Sequence, residues 1–117
     1  MKGAFFTLQK ALPHMNDGAS VVLTSSIANA TGIAGLSVYS ATKAAVRSLA
    51  RTLSAELVKS RGIRVNVVSP GPIQTPIFGR MGLTEQQAQE FGSSVVASVP
   101  LGRVGQPEEI ANTVVFL

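Results

Sequence analysis

A chain of 117 residues has length for one domain. It is 45% apolar and 14% charged, short of the usual charged share of roughly 25%, which excludes disorder, and zero Cys excludes a disulfide scaffold and a thiolate metal site. The net charge of +4 invites a nucleic-acid reading, but the 10 basic residues are scattered from Lys2 to Arg103 and one Tyr with no Trp offers no base-stacking platform, so none is expected.

Residues 2–12 read as a helix, with Phe5, Leu8 and Leu12 on one face. Pro13 and then Asn16-Asp17-Gly18 stop it, and nothing before Lys2 resembles an N-cap. Val21-Val22-Leu23 reads as a buried strand over 19–25, after which Ser25-Ser26 opens a loop carrying Gly32 and Gly35. Residues 38–60 carry Val46, Leu49, Ala50, Leu53 and Leu57 at helical spacing, with Gly62 as the stop. Arg64–Val68 reads as a second strand, ended by Ser69-Pro70-Gly71-Pro72. A polar helix follows near 84–97, with Thr84 as N-cap and Gln87 three residues on. The last helix starts at Pro107-Glu108-Glu109, with proline in its first turn and acids at the positive end of its dipole.

Alternating helices and strands predict an α/β fold with a parallel sheet. Successive right-handed crossovers put the first two helices on one sheet face. Two strands are too few for independent stability, and the apolar patterns run into both chain ends. The expectation is one partial domain over 1–117, cut at both ends. No apolar run approaches the ~20 residues of a spanning helix, and no signal-peptide pattern is present. Neither a membrane nor a nucleic-acid partner is expected, and the absence of Cys fits a reducing, cytoplasmic location.

Ser26, Tyr39 and Lys43 stand in the pattern S-x12-Y-x3-K. Helix positions i and i+4 share a face, with Cβ atoms about 5–6 Å apart. An ammonium that close favours the phenolate over the phenol, which suits Tyr39 to give or take a proton near neutral pH. Ser26 falls just past the first strand, and ligands of open α/β sheets bind outside the strands' carboxyl ends. A hydroxyl there can donate to a substrate oxygen as charge develops on it. Pro70-Gly71 closes the second strand at the same edge. A bare Y-x3-K or a Ser pair after a strand is bland taken alone. In this order, on these elements, they form one constellation.

Here the sequence resembles the short-chain dehydrogenase/reductase family. The resemblance rests on Thr24-Ser25-Ser26, Tyr39-Ser40-Ala41-Thr42-Lys43-Ala44-Ala45 and the run Asn66 to Thr75. It also rests on Pro100-Leu101-Gly102-Arg103 with Gly105-Gln106-Pro107-Glu108-Glu109-Ile110-Ala111, and so covers nearly the whole chain. It implies a Rossmann-like parallel sheet flanked by helices, of which this is the later half. It also implies hydride transfer between NAD or NADP and a carbonyl or alcohol substrate. By resemblance, Tyr39 is the acid/base, Lys43 eases its deprotonation and holds the nicotinamide ribose hydroxyls, and Ser26 polarises the substrate oxygen. Ile73, through its backbone, and Thr75 hold the carboxamide, and Tyr39, Pro70 and Gly71 join the cofactor contacts. Residues 76–99 match the substrate-covering lid, and Asn66 serves the sheet. The first two helices, 2–12 and 38–60, are the family's subunit contacts and imply a homo-oligomer, dimer or tetramer.

The family's glycine-rich phosphate loop and its NAD-or-NADP selecting residue lie upstream of this match, and Gly32, Gly35, Gly79 and Gly82 do not form G-x-G-x-x-G after a strand. The position of its catalytic Asn falls at or just before Met1. The alternative is therefore a truncated, non-catalytic piece that keeps only the subunit-contact helices. His14 stands alone at a helix end and suggests no metal site. Phe78, Met81 and Phe91 either line a substrate pocket or pack the lid. Lys43, Arg47 and Arg51 form an i, i+4 ladder in which only Lys43 is expected to turn inward.

Overall fold

The computed structural model describes residues 1–76 and 82–117. In chain order the elements are α1 (Lys2–Ala11), β1 (Ser20–Thr24), α2 (Ser37–Arg61), β2 (Arg64–Val68), α3 (Glu85–Ser98) and α4 (Pro107–Phe116), with 3-10 turns at Leu12–His14 and Ile27–Asn29. Each predicted element is present with ends within a residue or two. The first helix differs at its end. Pro13 has no N–H to donate to Gln9, so α1 closes at Ala11 and tightens into a 3-10 turn rather than stopping in a loop. The residues after β1 also differ from the expected loop. Ser26 caps a 3-10 turn there, its side chain accepting from the Ala28 N–H.

Two units make up the described chain: Met1–Pro70 with Thr113–Leu117, and Gly71–Asn112. In the first, β1 and β2 pair in parallel, Val21 opposite Val65 and Leu23 opposite Val67. Side chains alternate across a sheet, so these four share one face. Leu8 of α1 and Ala50 and Leu57 of α2 join Val21, Val65 and Ile63 in one buried cluster, and Leu23 and Val67 pack against it. Both helices therefore cover the same face, α2 as the crossover from β1 to parallel β2 and α1 beside it. The opposite face carries Ser20, Val22, Arg64 and Asn66, exposed or half-buried.

The α2-to-β2 turn needs its glycine. Gly62 adopts φ +65°, its N–H donates to Val58 O at 3.1 Å, and the Ile63 N–H donates to Leu57 O at 3.3 Å. These bonds satisfy the last helix carbonyls and reverse the chain. Arg61 secures the other side of that turn. Its guanidinium donates to Asp17 Oδ1 and Leu12 O, both at 2.8 Å, and also to Met15 O.

In the second unit, α3 begins with the predicted capping box. The Gln87 N–H donates to Thr84 Oγ1 at 3.3 Å and the Thr84 N–H to Gln87 Oε1 at 3.0 Å. Ile73 forms an isolated parallel bridge with Gly105. A mostly apolar cavity of about 270 Å³ is lined by Gln74, Leu83, Phe91, Val95, Val96 and Val104, among others. Of the lid residues singled out above, Phe91 lines this cavity, while Gly79, Phe78 and Met81 lie outside the described residues.

Candidate functional site

The site is built where β1 and β2 end. The ladder continues past both strands: the Ser25 N–H donates to Val68 O at 2.8 Å, and the Ile27 N–H to Pro70 O at 3.0 Å. Ser26 is thereby held between two bonds that tie its segment to Val68 and Pro70. It accepts from the Ala28 N–H at 3.2 Å, which leaves its O–H able to donate elsewhere.

Tyr39 and Lys43 lie one turn apart in the first part of α2. Lys43 Nζ stands 5.7 Å from the centre of the Tyr39 ring, within cation–π range, and donates to Thr24 O at 3.2 Å. That bond anchors the ammonium at the carboxyl end of β1. Lys43 is half-buried, whereas Arg47 and Arg51 are exposed, as expected if only Lys43 turns toward the site. Tyr39 is 44% exposed. These three residues thus come from the end of β1 and the start of α2, and the Lys43–Thr24 bond is one tie between those places. Asn66 lies within β2, opposite Val22. His14 is exposed in the turn after α1.

Two residues to which the sequence assigned no role at the site stabilise this arrangement. Ser25 is buried; its hydroxyl donates to Lys43 O at 2.9 Å and links the end of β1 to α2. Asn29 is the hub of the 3-10 turn. Its Nδ2 reaches Ser26 O at 2.6 Å, Ser69 Oγ at 2.7 Å and Ser25 Oγ at 3.2 Å, and its Oδ1 accepts from Arg47 at 3.4 Å. Asn29 thereby holds the segments that follow both strands. No periodicity marks it; the only signal is an Asn three residues after a Ser at a strand end.

In the second unit, Ile73 and Thr75 lie in the segment before the undescribed residues, with Gly71 and Pro72 preceding them. In the Ile73–Gly105 bridge, the Gly105 N–H donates to Pro72 O at 2.9 Å and the Gln74 N–H to Gly105 O at 2.8 Å. In a parallel pair, the bonds to one residue come from its partner's two neighbours. The N–H and C=O of Ile73 itself therefore face away from Gly105. They have no hydrogen-bond partner among the described residues. Beside them Arg103 forks onto Glu109, and the carboxyl of Glu109 drops from its ordinary 4.5 to about 2. The main cause is the Arg103 hydrogen bond, followed by the Gln106 N–H. The same bond raises Arg103.

Among the described residues no group of three or more His, Asp or Glu could hold a metal ion. No described helix is long and apolar enough to cross a membrane.

A parallel α/β sheet flanked by helices, with polar side chains gathered at its carboxyl ends, defines a Rossmann-like class of protein. The family described as enoyl-(acyl carrier protein) reductase matches residues 1–117. A glucose and ribitol dehydrogenase of Daucus carota is 44% identical over 113 residues, 97% of this chain and 37% of that protein. The chloroplastic NADPH-dependent aldehyde reductase 1 of Arabidopsis thaliana is 42% identical over the same shares. A crystal structure of a small-chain dehydrogenase in complex with NADPH superposes with a TM-score of 0.89 at 27% identity, covering 99% of this chain and 51% of that one. The chain belongs to the short-chain dehydrogenase/reductase family. It spans well under half the length of these two curated relatives.

Proposed function

We propose that this chain carries the proton-transfer and nicotinamide-contact half of an NAD(P)-dependent oxidoreductase acting on a carbonyl or alcohol substrate. The observation that carries the reading is the Tyr39–Lys43 pair, its ammonium fixed to Thr24 O beside Ser26. Tyr39 gives a proton to the carbonyl oxygen, or takes one from the alcohol. Ser26 donates its O–H to the same substrate oxygen. Lys43 gives one of its three N–H donors to Thr24 O and, among the described residues, has two more to offer ribose hydroxyls. The bound nicotinamide would supply or accept the hydride.

The chain's own donors suit that cofactor. The Ile73 N–H, which has no partner among the described residues, can donate to a carboxamide oxygen, and the Thr75 hydroxyl can serve the same group. Pro70 and Gly71 complete the cofactor contacts. The names of the relatives, a dehydrogenase and an NADPH-dependent reductase, support the same class. Residues 76–99 are read as the lid over the substrate. A cytoplasmic location accompanies this reading, resting on the absence of Cys.

The test is a fluorescence titration of NADH and of NADPH against the intact protein that carries these residues. Saturable binding of either nucleotide is expected. No saturable change with either would favour the alternative, a non-catalytic piece built around its subunit-contact helices.

The same reading includes a homo-oligomer, dimer or tetramer, through α1 and α2. Phe5 and Phe6 on α1 and Val58 on α2 are exposed apolar side chains on those helices. Sedimentation velocity should find more than one protomer, and Phe6→Glu should shift the population toward monomer. A parent protein that sediments as a monomer would remove this part.

A further inference from the structure

The peptide of Ile73 has to be aimed, and its own segment cannot aim it. Residues 71–76 belong to no helix or extended strand. Their backbone pairing comes from Gly105 alone among the described residues, through the Gly105 N–H to Pro72 O and the Gln74 N–H to Gly105 O. These two bonds flank Ile73 and fix the plane in which its N–H points.

Gly105 is itself set by a closed ring of contacts. Arg103 Nη1 and Nη2 each meet a Glu109 oxygen at 2.8 Å. Glu109 Oε2 also accepts from the Gln106 N–H at 2.7 Å, and Arg103 donates to Val104 O at 3.1 Å. The loop that contains Gly105 is thus clamped at both ends. A side-chain tie, Gln106 Nε2 to Gln74 Oε1 at 3.0 Å, joins it a second time to the Ile73 segment. The approach is close: a Cβ at Gly105 would lie 2.6 Å from Ile73 Cδ1. Both partners of the ion pair are about half exposed, 54% and 48% for the side chains, where such a pair adds little stability. What the planar fork contributes is direction.

We propose that the Arg103–Glu109 pair is a positioning device for the cofactor's carboxamide: it holds Gly105 in place, and through Gly105 presents the Ile73 N–H to the carboxamide oxygen. This rests on the reading of Ile73 as a carboxamide contact. Neither Arg103 nor Glu109 touches the cofactor, so both are positioning residues. The Arg103 fork holds the Glu109 carboxyl well below the ordinary carboxylate range, at about 2, so the test is made by substitution rather than by pH.

Glu109→Gln keeps the shape and removes the charge; Arg103→Lys keeps the charge and removes the fork. Each is made in the intact protein and titrated calorimetrically with two ligands. One is whichever of NADH and NADPH the parent binds. The other is the matching ADP-ribose, which lacks the nicotinamide. Both variants should bind the dinucleotide about 3–10-fold more weakly, the scale of one well-placed hydrogen bond, and ADP-ribose as the parent does. Equal weakening toward both ligands would assign the pair to the fold alone and overturn the proposal. Unchanged dinucleotide binding would overturn it as well. A parent protein that binds neither ligand overturns the cofactor reading and this proposal with it, a failure distinct from variants that match a binding parent.

Discussion

Tyr39→Phe is expected to lower turnover about 10²–10⁴-fold while leaving nicotinamide cofactor binding nearly unchanged, the normal scale for removing a general acid or base. The substitution isolates the proton. Phenylalanine keeps the ring, and with it the Lys43 ammonium 5.7 Å from its centre. It keeps the helical backbone early in α2, and it disturbs no packed core, because the side chain is 44% exposed. The phenolic O–H alone disappears. Steady-state rates for the variant and its parent, measured with a carbonyl substrate the parent reduces, give the turnover ratio. The fluorescence titration gives the affinity. A variant within tenfold of its parent would strip Tyr39 of the acid/base role. Joint loss of turnover and cofactor affinity would move Tyr39 from proton transfer to cofactor binding.

Spacing made this pair legible, because i and i+4 on a helix must meet whatever surrounds them. The same holds for the α3 capping box, written in Thr84 and Gln87, and for the Gly62 turn, which only a residue at ease with positive φ can make. The site's supports were not legible. Asn29 and Ser25 act through contacts to Ser69 and to Lys43, 40 and 18 residues away, and no local pattern records a partner so distant. Arg103 and Glu109 lie six apart across a turn, outside the helical spacings that mark ion pairs. The Ile73–Gly105 bridge is a single residue long, too short for strand periodicity to register. Sequence pattern reports local geometry and burial. It is silent on hydrogen bonds between segments that only the fold brings together.

Ile63→Ala is expected to destabilise the protein by about 2–5 kcal/mol, a large part of the roughly 5–15 kcal/mol available to a folded domain. Ile63 is 0% exposed and belongs to the cluster where α1, α2 and both strands meet. It enters β2 directly after the Gly62 turn, beside Arg64, whose N–H bonds to Ala19 O at 3.0 Å. Backbone pairing on that side limits how far the chain can relax into the space left behind, so the cavity term adds to the lost transfer energy. Ile63→Val should cost less, about 0.5–1.5 kcal/mol. Val38→Ala on α2, at a side chain 79% exposed, should change stability by no more than about 0.5 kcal/mol. Urea unfolding gives all three; the midpoint should move while the slope stays fixed. A loss under about 1 kcal/mol for Ile63→Ala would place the core elsewhere. The chemistry should be spared. Ile63 precedes β2, and Ser69 and Pro70 follow it, so the 5 strand residues between them span about 17 Å at ~3.3 Å per residue. Below its unfolding transition, the Ile63→Ala protein should therefore bind cofactor and turn over like its parent, and Tyr39→Phe should unfold like its parent but turn over poorly.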